Sequence, residues 1–177
     1  MTMTRRDFQR LLLASSAAAL APAALGRAAR DIEIGASTFC FPDRSRNDAV
    51  SAMQELGIRN VELFNVHAYL AGDETPHKIW IRILQEDRAQ MKRWRLTAEQ
   101  SHFDGIRQQF KNAGLNLFLY YSGLYDTASD EEVDREFQFA RWLGVQALST
   151  QCEPSNVARL ARFAKKHELK VALHNTT

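Results

Sequence analysis

Five short apolar runs recur along the chain after residue 30, and helix-like stretches separate them. The runs around residues 61–64, 115–121 and 171–173 are more continuous than alternating. Continuous apolar runs are typical of strands that are buried on both faces, as in parallel sheets. The pattern predicts five parallel strands, at residues 33–41, 60–66, 115–121, 146–151 and 169–174.

Glycine residues indicate where the helices before three of these strands end. Gly57, Gly114 and Gly144 each lie between two apolar residues, and glycine readily adopts the left-handed conformation that closes a helix. Ser129 and Glu132 have the spacing of a capping box, which predicts the start of another helix. Helices therefore alternate with the strands.

The segment between the second and third strands is long enough for an additional helix. Pro76 is expected near its start, Ile79 and Ile83 follow at helical spacing, and the helix is predicted to end at about Arg93. Strands that alternate with helices indicate a parallel α/β fold with right-handed crossovers. An open doubly wound sheet and a (β/α)8 barrel both fit this order.

Residues 1–30 have the composition of an export signal. Arg5, Arg6 and Phe8 precede a short apolar stretch that is rich in leucine and alanine. This order resembles the twin-arginine signal of bacterial export, a route that carries folded proteins. We therefore predict a signal peptide at 1–30 that the export machinery recognises, a periplasmic location, and a folded domain at 31–177.

The composition excludes several classes of protein. Of 177 residues, 45% are hydrophobic and 25% are charged, which is ordinary for a globular protein. Five of the 23 basic residues and one of the 21 acidic residues lie in residues 1–30, which leaves 18 and 20 in the remainder. A domain with this slight acidic excess lacks the basic surface that nucleic-acid binders carry. Two separated cysteines exclude a disulfide scaffold, and the glycine motifs of dinucleotide and phosphate loops are absent from the sequence.

Polar and aromatic residues follow the predicted strands, where parallel barrels place their functional sites. Glu62 lies inside an apolar strand, where an unpaired carboxylate is costly, so we expect it to be paired or catalytic. His174 follows the fifth strand and is a candidate catalytic residue, because imidazole can transfer a proton or bind a metal. A histidine satisfied by loop hydrogen bonds is the alternative. The candidate substrate-binding residues are Phe41, His67, Tyr121, Gln151, Glu153 and Asn175.

Three segments, at residues 35–39, 57–64 and 171–175, resemble the sugar phosphate isomerases/epimerases. This family belongs to the xylose isomerase-like TIM-barrel superfamily, which also includes endonuclease IV-type enzymes. The resemblance implies a (β/α)8 barrel and a reaction beside the carbonyl group of a sugar or sugar phosphate. It also implies a divalent metal, Mn²⁺, Mg²⁺, Co²⁺ or Zn²⁺, that stabilises the enediolate oxygens while a carboxylate removes a proton.

The chain also departs from this family. The family's metal ligands come from strands five to eight, whereas this chain ends just after its fifth predicted strand and has His174 where many members have glutamate. The resemblance therefore implies a partial (β/α)8 barrel of about five strands, with His174 as a remaining metal ligand and little isomerase activity on its own. A non-catalytic sugar-binding remnant is the alternative, and the charge and export signal disfavour an endonuclease. Unclosed sheet edges are expected to favour self-association.

Overall fold

The structure is a computed structural model that describes residues 34–75 and 88–174. Apart from the first, all of these residues belong to one of the two units into which the chain divides, Gly35–Thr177. Two predicted features, the export signal at 1–30 and the helix start at Pro76, lie outside the described residues. In the described ranges, no helix combines the length and the apolar character that a membrane span requires.

Within the described residues, five strands form one sheet, and every neighbouring pair is parallel. Their order in the sheet follows the chain, as in a TIM barrel and unlike a doubly wound sheet. The predicted fold class, an α/β partial barrel of five parallel strands with helices between them, is confirmed. The strands are β1 Gly35–Ser37, β2 Asn60–Phe64, β3 Asn116–Tyr121, β4 Ala147–Thr150 and β5 Lys170–Leu173.

The first strand is shorter than the predicted run at 33–41. It ends at Ser37, whose hydroxyl accepts a hydrogen bond from the backbone N–H of Phe39 at 3.3 Å, and Thr38–Cys40 forms a 3₁₀ turn. A serine side chain that bonds a nearby backbone N–H in this way competes with the strand ladder and ends it. The turn places Phe39 beside the end of β2, where its ring contacts Phe64.

In the described ranges, six helices lie between the strands. The predicted capping box is present, because Ser129 Oγ accepts the Glu132 backbone N–H at 3.3 Å and the Glu132 carboxylate accepts the Ser129 N–H at 3.0 Å. The glycine stops are also confirmed, since residues 57, 114 and 144 have φ values of 70°, 70° and 73°. The helices are α1 Arg46–Glu55, α2 Asn65–Tyr69, α3 Arg88–Thr97, α4 Gln100–Asn112, α5 Asp130–Leu143 and α6 Val157–His167.

The hydrophobic core lies between the helices and one face of the sheet. Phe103 of α4 and Phe139 of α5 are fully buried and stack with their ring centroids 4.2 Å apart. Leu63 of β2 joins this core from the sheet and is also fully buried. Because successive strand residues point to opposite faces, burial of Leu63 against the helices turns Glu62 and Phe64 to the other face.

Helix α6 ends without a glycine, and its last turn gives a first prediction. Glu168 has a φ of 55°, in the left-handed region that is unfavourable for a residue with a side chain. Its carboxylate is exposed and makes a long ion pair of 3.8 Å with Arg141. We expect Glu168→Gly to raise the free energy of unfolding by up to about 1 kcal/mol in urea denaturation. Glu168→Ala, which removes the ion pair and keeps the strain, should bring no gain; equal effects of the two changes would contradict this account.

Candidate functional site

A cavity of about 540 Å³ opens at the carboxyl ends of the strands. Helix α3 lines it with Arg88, Met91 and Arg95. This end of a parallel barrel carries the functional residues, and the volume suits a small ligand. The strand ends and the residues just after them contribute Ser37, Glu62, Phe64, Tyr121, Gln151 and His174.

Glu62 brings a carboxylate into this cavity. Ser149 of β4 donates a hydrogen bond from Oγ to Glu62 Oε1 at 2.5 Å. Glu62 makes no other hydrogen bond or ion pair with the part of the chain that the structure describes. Its second carboxylate oxygen, Oε2, is not among the buried atoms that lack a hydrogen-bond partner. The carboxylate is therefore both paired, which lowers the cost of placing it in a strand, and open to a ligand.

Four rings form a continuous row along the carboxyl ends of the strands, and we call Phe39, Phe64, Tyr121 and His174 the aromatic row. The Phe39 and Phe64 centroids are 4.7 Å apart, Phe64 stacks on Tyr121 at 4.7 Å, and Tyr121 meets His174 edge-on at 5.6 Å. Burial raises the pKa of Tyr121, and the carboxylate of Glu62 raises it further. Glu62 therefore lies close enough to the row for its charge to act on Tyr121.

His174 is positioned by the sheet rather than by its own side chain. Its backbone N–H donates to the Thr150 carbonyl at 2.9 Å, which extends the pairing of β4 and β5 by one residue. Neither nitrogen of its ring is hydrogen-bonded to a described residue. The residue lines the cavity. The adjacent Asn175, a predicted substrate-binding residue, lies outside the described residues.

Three predicted substrate-binding residues do not line the cavity. Phe41 is half-buried against the hydrophobic core, and Glu153 lies at the surface, where its backbone N–H donates to Asp126 Oδ1 at 3.1 Å. His67 is buried because helix α2 begins at Asn65, directly after β2, and turns the chain inward. All three lie at or just after the end of a predicted strand, but the local turns direct them away from the cavity.

The buried His67 makes stability dependent on pH, which gives a second prediction. Its Nε2 lies 3.1 Å from the Arg44 carbonyl oxygen, and its Nδ1 has no hydrogen-bond partner in the described ranges. Burial lowers the pKa of His67 and the charge of Arg46 lowers it further, while the backbone hydrogen bond opposes both. The unfolded chain then binds a proton more readily than the folded one, so stability should fall as the pH drops below about 6.5.

Urea denaturation at about pH 7.5 and about pH 5.5, on either side of the ordinary histidine pKa, checks this expectation. The loss of stability between the two conditions should be smaller in His67→Gln than in the unchanged protein. An equal loss in both proteins would show that other groups cause the pH dependence.

Helix α3 supplies cavity residues that the sequence analysis does not identify. Arg88, Met91 and Arg95 recur at intervals of three and four residues and so share one helix face. The helix continues to Thr97, so the predicted end near Arg93 is too early. The spacing is visible in the sequence, but arginines at helical intervals are more typical of a solvent-exposed face.

Arg95 is fully buried and joins two carboxylates of helix α5. Its Nε donates to Glu136 Oε1 at 2.5 Å, and its Nη1 donates to Glu132 Oε1 at 2.9 Å. Tyr120 donates from its hydroxyl to Glu136 Oε2 at 2.8 Å, and Tyr125 donates to Glu132 Oε1 at 3.2 Å. We call these five side chains the Arg95 network.

Three members of the network are held in their ordinary charge states. Burial would lower the pKa of Arg95, but the carboxylates of Glu136 and Glu132 raise it above its usual value. Burial and the Glu136 carboxylate raise the pKa of Tyr120. Burial would raise the pKa of Glu132, but hydrogen bonds from Ser129 and the charge of Arg95 lower it. At neutral pH the guanidinium stays charged, Tyr120 stays neutral and Glu132 stays ionised.

The divalent metal that the resemblance implies finds no complete ligand set here. Within residues 34–75 and 88–174, no group of three or more histidine, cysteine, aspartate or glutamate side chains is arranged to hold a metal ion. Glu62 and His174 both line the cavity, but a catalytic zinc site, for example, takes three protein ligands. The described residues therefore do not fit the implied metal centre.

No family model matches the chain, and neither does any curated protein. An uncharacterised protein of Parabacteroides distasonis has a similar structure, with a TM-score of 0.60 and 20% identity over 82% of this chain and 54% of that chain. A sugar phosphate isomerase/epimerase of the same organism gives a TM-score of 0.50 and 13% identity, over 81% of this chain and 51% of that chain. A xylose isomerase domain protein of Alicyclobacillus acidocaldarius gives a TM-score of 0.48 and 14% identity, over 80% of this chain and 49% of that chain.

These similarities concern the fold. The first two structures show that the five-stranded sheet and its helices are arranged as in about half of a larger protein of the same architecture. The chain spans about half the length of the solved structures that it resembles. Its neighbours by structure include proteins described as sugar phosphate isomerase/epimerase and xylose isomerase domain proteins.

Proposed function

We propose that this chain forms part of a sugar isomerase or epimerase site, in which a carboxylate transfers a proton beside a carbonyl group. The observation that carries the proposal is the Glu62 carboxylate, which lines the cavity with one oxygen not bonded to the described chain. The fold shared with a sugar phosphate isomerase/epimerase supports it. The substrate class is a sugar or a sugar phosphate.

The aromatic row is a suitable surface for a sugar. One face of a sugar carries mainly C–H groups, and the faces of aromatic rings offer an apolar surface of matching size. Gln151 lines the same cavity and offers an amide to the hydroxyl groups. Because the charge of Glu62 acts on Tyr121, a sugar stacked on the row would lie near the carboxylate.

In the proposed step, Glu62 takes the proton from the carbon beside the carbonyl group. The released electron pair forms the C=C bond of an enediol, whose new hydroxyl oxygen takes a proton from the imidazolium form of His174. Glu62 then returns its proton to the former carbonyl carbon, and the neighbouring hydroxyl returns a proton to His174. We expect this chain alone to complete the reaction slowly, because the described residues do not complete a metal site for the enediolate oxygens.

A second candidate function is sugar binding without catalysis. It is favoured because Glu62 supplies the single carboxylate among the described residues that line the cavity. Inversion at one carbon needs a proton donor and a proton acceptor on opposite sides of that carbon. A binding module would use the aromatic row and Gln151 and would leave the sugar unchanged.

The two candidates are separated by incubating the 177-residue protein with a panel of aldoses and ketoses, each with and without a phosphate group. Saturation-transfer NMR measures binding, and chromatography of the mixture detects isomers. Binding with product formation supports the isomerase or epimerase site. Binding without product supports the second candidate, and a panel without binding contradicts both.

We infer from the composition of residues 1–30 that the protein is exported to the periplasm by the twin-arginine route. The receptor of this route reads the arginine pair, so replacing Arg5 and Arg6 with lysine in a reporter fusion should abolish periplasmic delivery. Arg10→Lys makes the same kind of change outside the pair and should leave delivery intact. Unchanged delivery of the Arg5→Lys, Arg6→Lys fusion would contradict the twin-arginine signal.

A further inference from the structure

The cavity has a charge asymmetry that the proposed proton transfer does not use. Glu62 lies at the strand side, whereas Arg88 and Arg95 line the cavity from helix α3. The two arginines are seven positions apart, so their Cα atoms lie about 10 Å apart along the helix axis. One side of the cavity therefore carries a carboxylate, and another carries two guanidinium groups.

The guanidinium of Arg88 is not engaged by any acidic residue in the described part of the chain. Its central carbon lies 5.1 Å from the centroid of the Tyr125 ring, a cation–π contact that orients the side chain. Its N–H donors make no hydrogen bond to another described residue. Tyr125 is not a competing anion, because burial and the Glu132 carboxylate raise its pKa. The charge and the donors of Arg88 are thus available to a ligand.

Arg95 adds a second donor group from the same helix face. Its Nε and Nη1 are bound to Glu136 and Glu132, whereas Nη2 has no partner in the described ranges. Arg95 lines the cavity with a side chain that is only 1% exposed, and Nη2 is its one terminal nitrogen that is not bound to a described carboxylate. The two carboxylates fix the guanidinium plane and so hold this donor in a defined direction.

Among the described residues, the acidic side chains that pair with α3 do not cancel the positive charge of the helix. Lys92 Nζ lies 4.0 Å from Glu132 Oε2, so three cations, Arg88, Lys92 and Arg95, accompany two anions, Glu132 and Glu136. These five described side chains together carry one net positive charge. Glu62, on the strand side, would repel an anionic group placed next to it. Charge therefore orients an anionic ligand with its charged end toward α3.

We propose that Arg88 and Arg95 form an anion subsite, and that the cavity takes a sugar bearing a carboxylate or phosphate group at its α3 side. The placement of the reacting end near Glu62 rests on the proposed function, whereas recognition of the anionic group does not require turnover. Sugar acids and sugar phosphates share this chemistry, because a guanidinium pairs its parallel N–H donors with the oxygens of either group.

Isothermal titration of the 177-residue protein with glucose, glucuronate, fructose and fructose 6-phosphate tests the subsite. At least one charged sugar should bind about tenfold or more tightly than its neutral counterpart, and added salt should reduce the difference. A preference confined to glucuronate identifies a carboxylate ligand, and one confined to fructose 6-phosphate identifies a phosphate ligand. Inorganic phosphate should compete with the charged sugars in either case.

Variants locate the subsite. Arg88→Gln should weaken binding of the charged sugar about tenfold to a hundredfold and leave the neutral sugar unchanged, because it removes one charge-assisted partner. Arg162→Gln removes the same charge from an exposed position on α6 that does not line the cavity, and it should have no effect. Circular dichroism confirms that both variants are folded.

Equal affinity for charged and neutral sugars, or equal losses in the Arg88 and Arg162 variants, would overturn the subsite. Tight binding of a charged sugar that undergoes no proton exchange would support the subsite and contradict the proposed function. Proton exchange on neutral sugars alone would support the proposed function and contradict the subsite.

Discussion

Replacing Arg95 with methionine is expected to lower the free energy of unfolding by about 3–5 kcal/mol. Arg95 is buried between Glu136 and Glu132, which accept its hydrogen bonds at 2.5 Å and 2.9 Å and are themselves buried. Methionine fills a similar volume but leaves two carboxylates without their cation, and an uncompensated buried charge is strongly destabilising. Urea denaturation followed by circular dichroism measures the change.

A matched surface change provides the control for Arg95→Met. Arg107 pairs with Asp104 at 3.0 Å, but both side chains are substantially exposed, so Arg107→Met should cost less than about 1 kcal/mol. Adding Glu132→Gln and Glu136→Gln to Arg95→Met removes the uncompensated charges and should recover part of the lost stability. Similar losses for Arg95→Met and Arg107→Met would contradict a buried, interdependent network.

Glu62→Gln is expected to slow isomerisation about 10²–10⁴-fold while sugar binding changes little. The amide has the shape of the carboxylate and still offers an oxygen to Ser149 Oγ, but it cannot take up a proton at neutral pH. The rate of product formation at saturating sugar, with binding measured separately, shows whether the loss is confined to the chemical step.

Glu153→Gln is the control for this change. Both glutamates belong to the strand region of the sheet, since Glu153 follows β4 and Glu62 lies in β2. Glu153 does not line the cavity, and its backbone N–H donates to Asp126. Its replacement should leave the rate unchanged. A Glu62→Gln protein with the full rate, or a Glu153→Gln protein with the larger loss, would show that the proton acceptor has been assigned to the wrong carboxylate.

The strands and helix ends are predictable because they depend on local physics. The continuous apolar runs pair as parallel strands, and the three glycine stops adopt the left-handed conformation that favours glycine. The capping box at Ser129 needs only two residues three positions apart. These signals fix the order of elements, and parallel strands in chain order bring Glu62 and Tyr121 to one end of the sheet.

The remaining site residues depend on contacts between distant segments. Arg95 enters the cavity through its pairing with Glu132 and Glu136, which are 37 and 41 residues further along the chain. Nothing in the local pattern of α3 distinguishes an arginine buried by such partners from one at the surface. His67 is turned away from the cavity for a local reason instead, because a helix begins immediately after β2.

Proton exchange with solvent tests the central claim most directly. The 177-residue protein is incubated in D₂O with the sugars that it binds, and ¹H NMR follows the signal of the C–H group beside the carbonyl. The account predicts that this signal disappears with the unchanged protein and persists at the background rate with Glu62→Gln, because exchange requires removal of that proton. Persistence of the signal for every bound sugar, with a rate no greater than that of Glu62→Gln, would contradict the proposal that Glu62 removes a proton beside a carbonyl group.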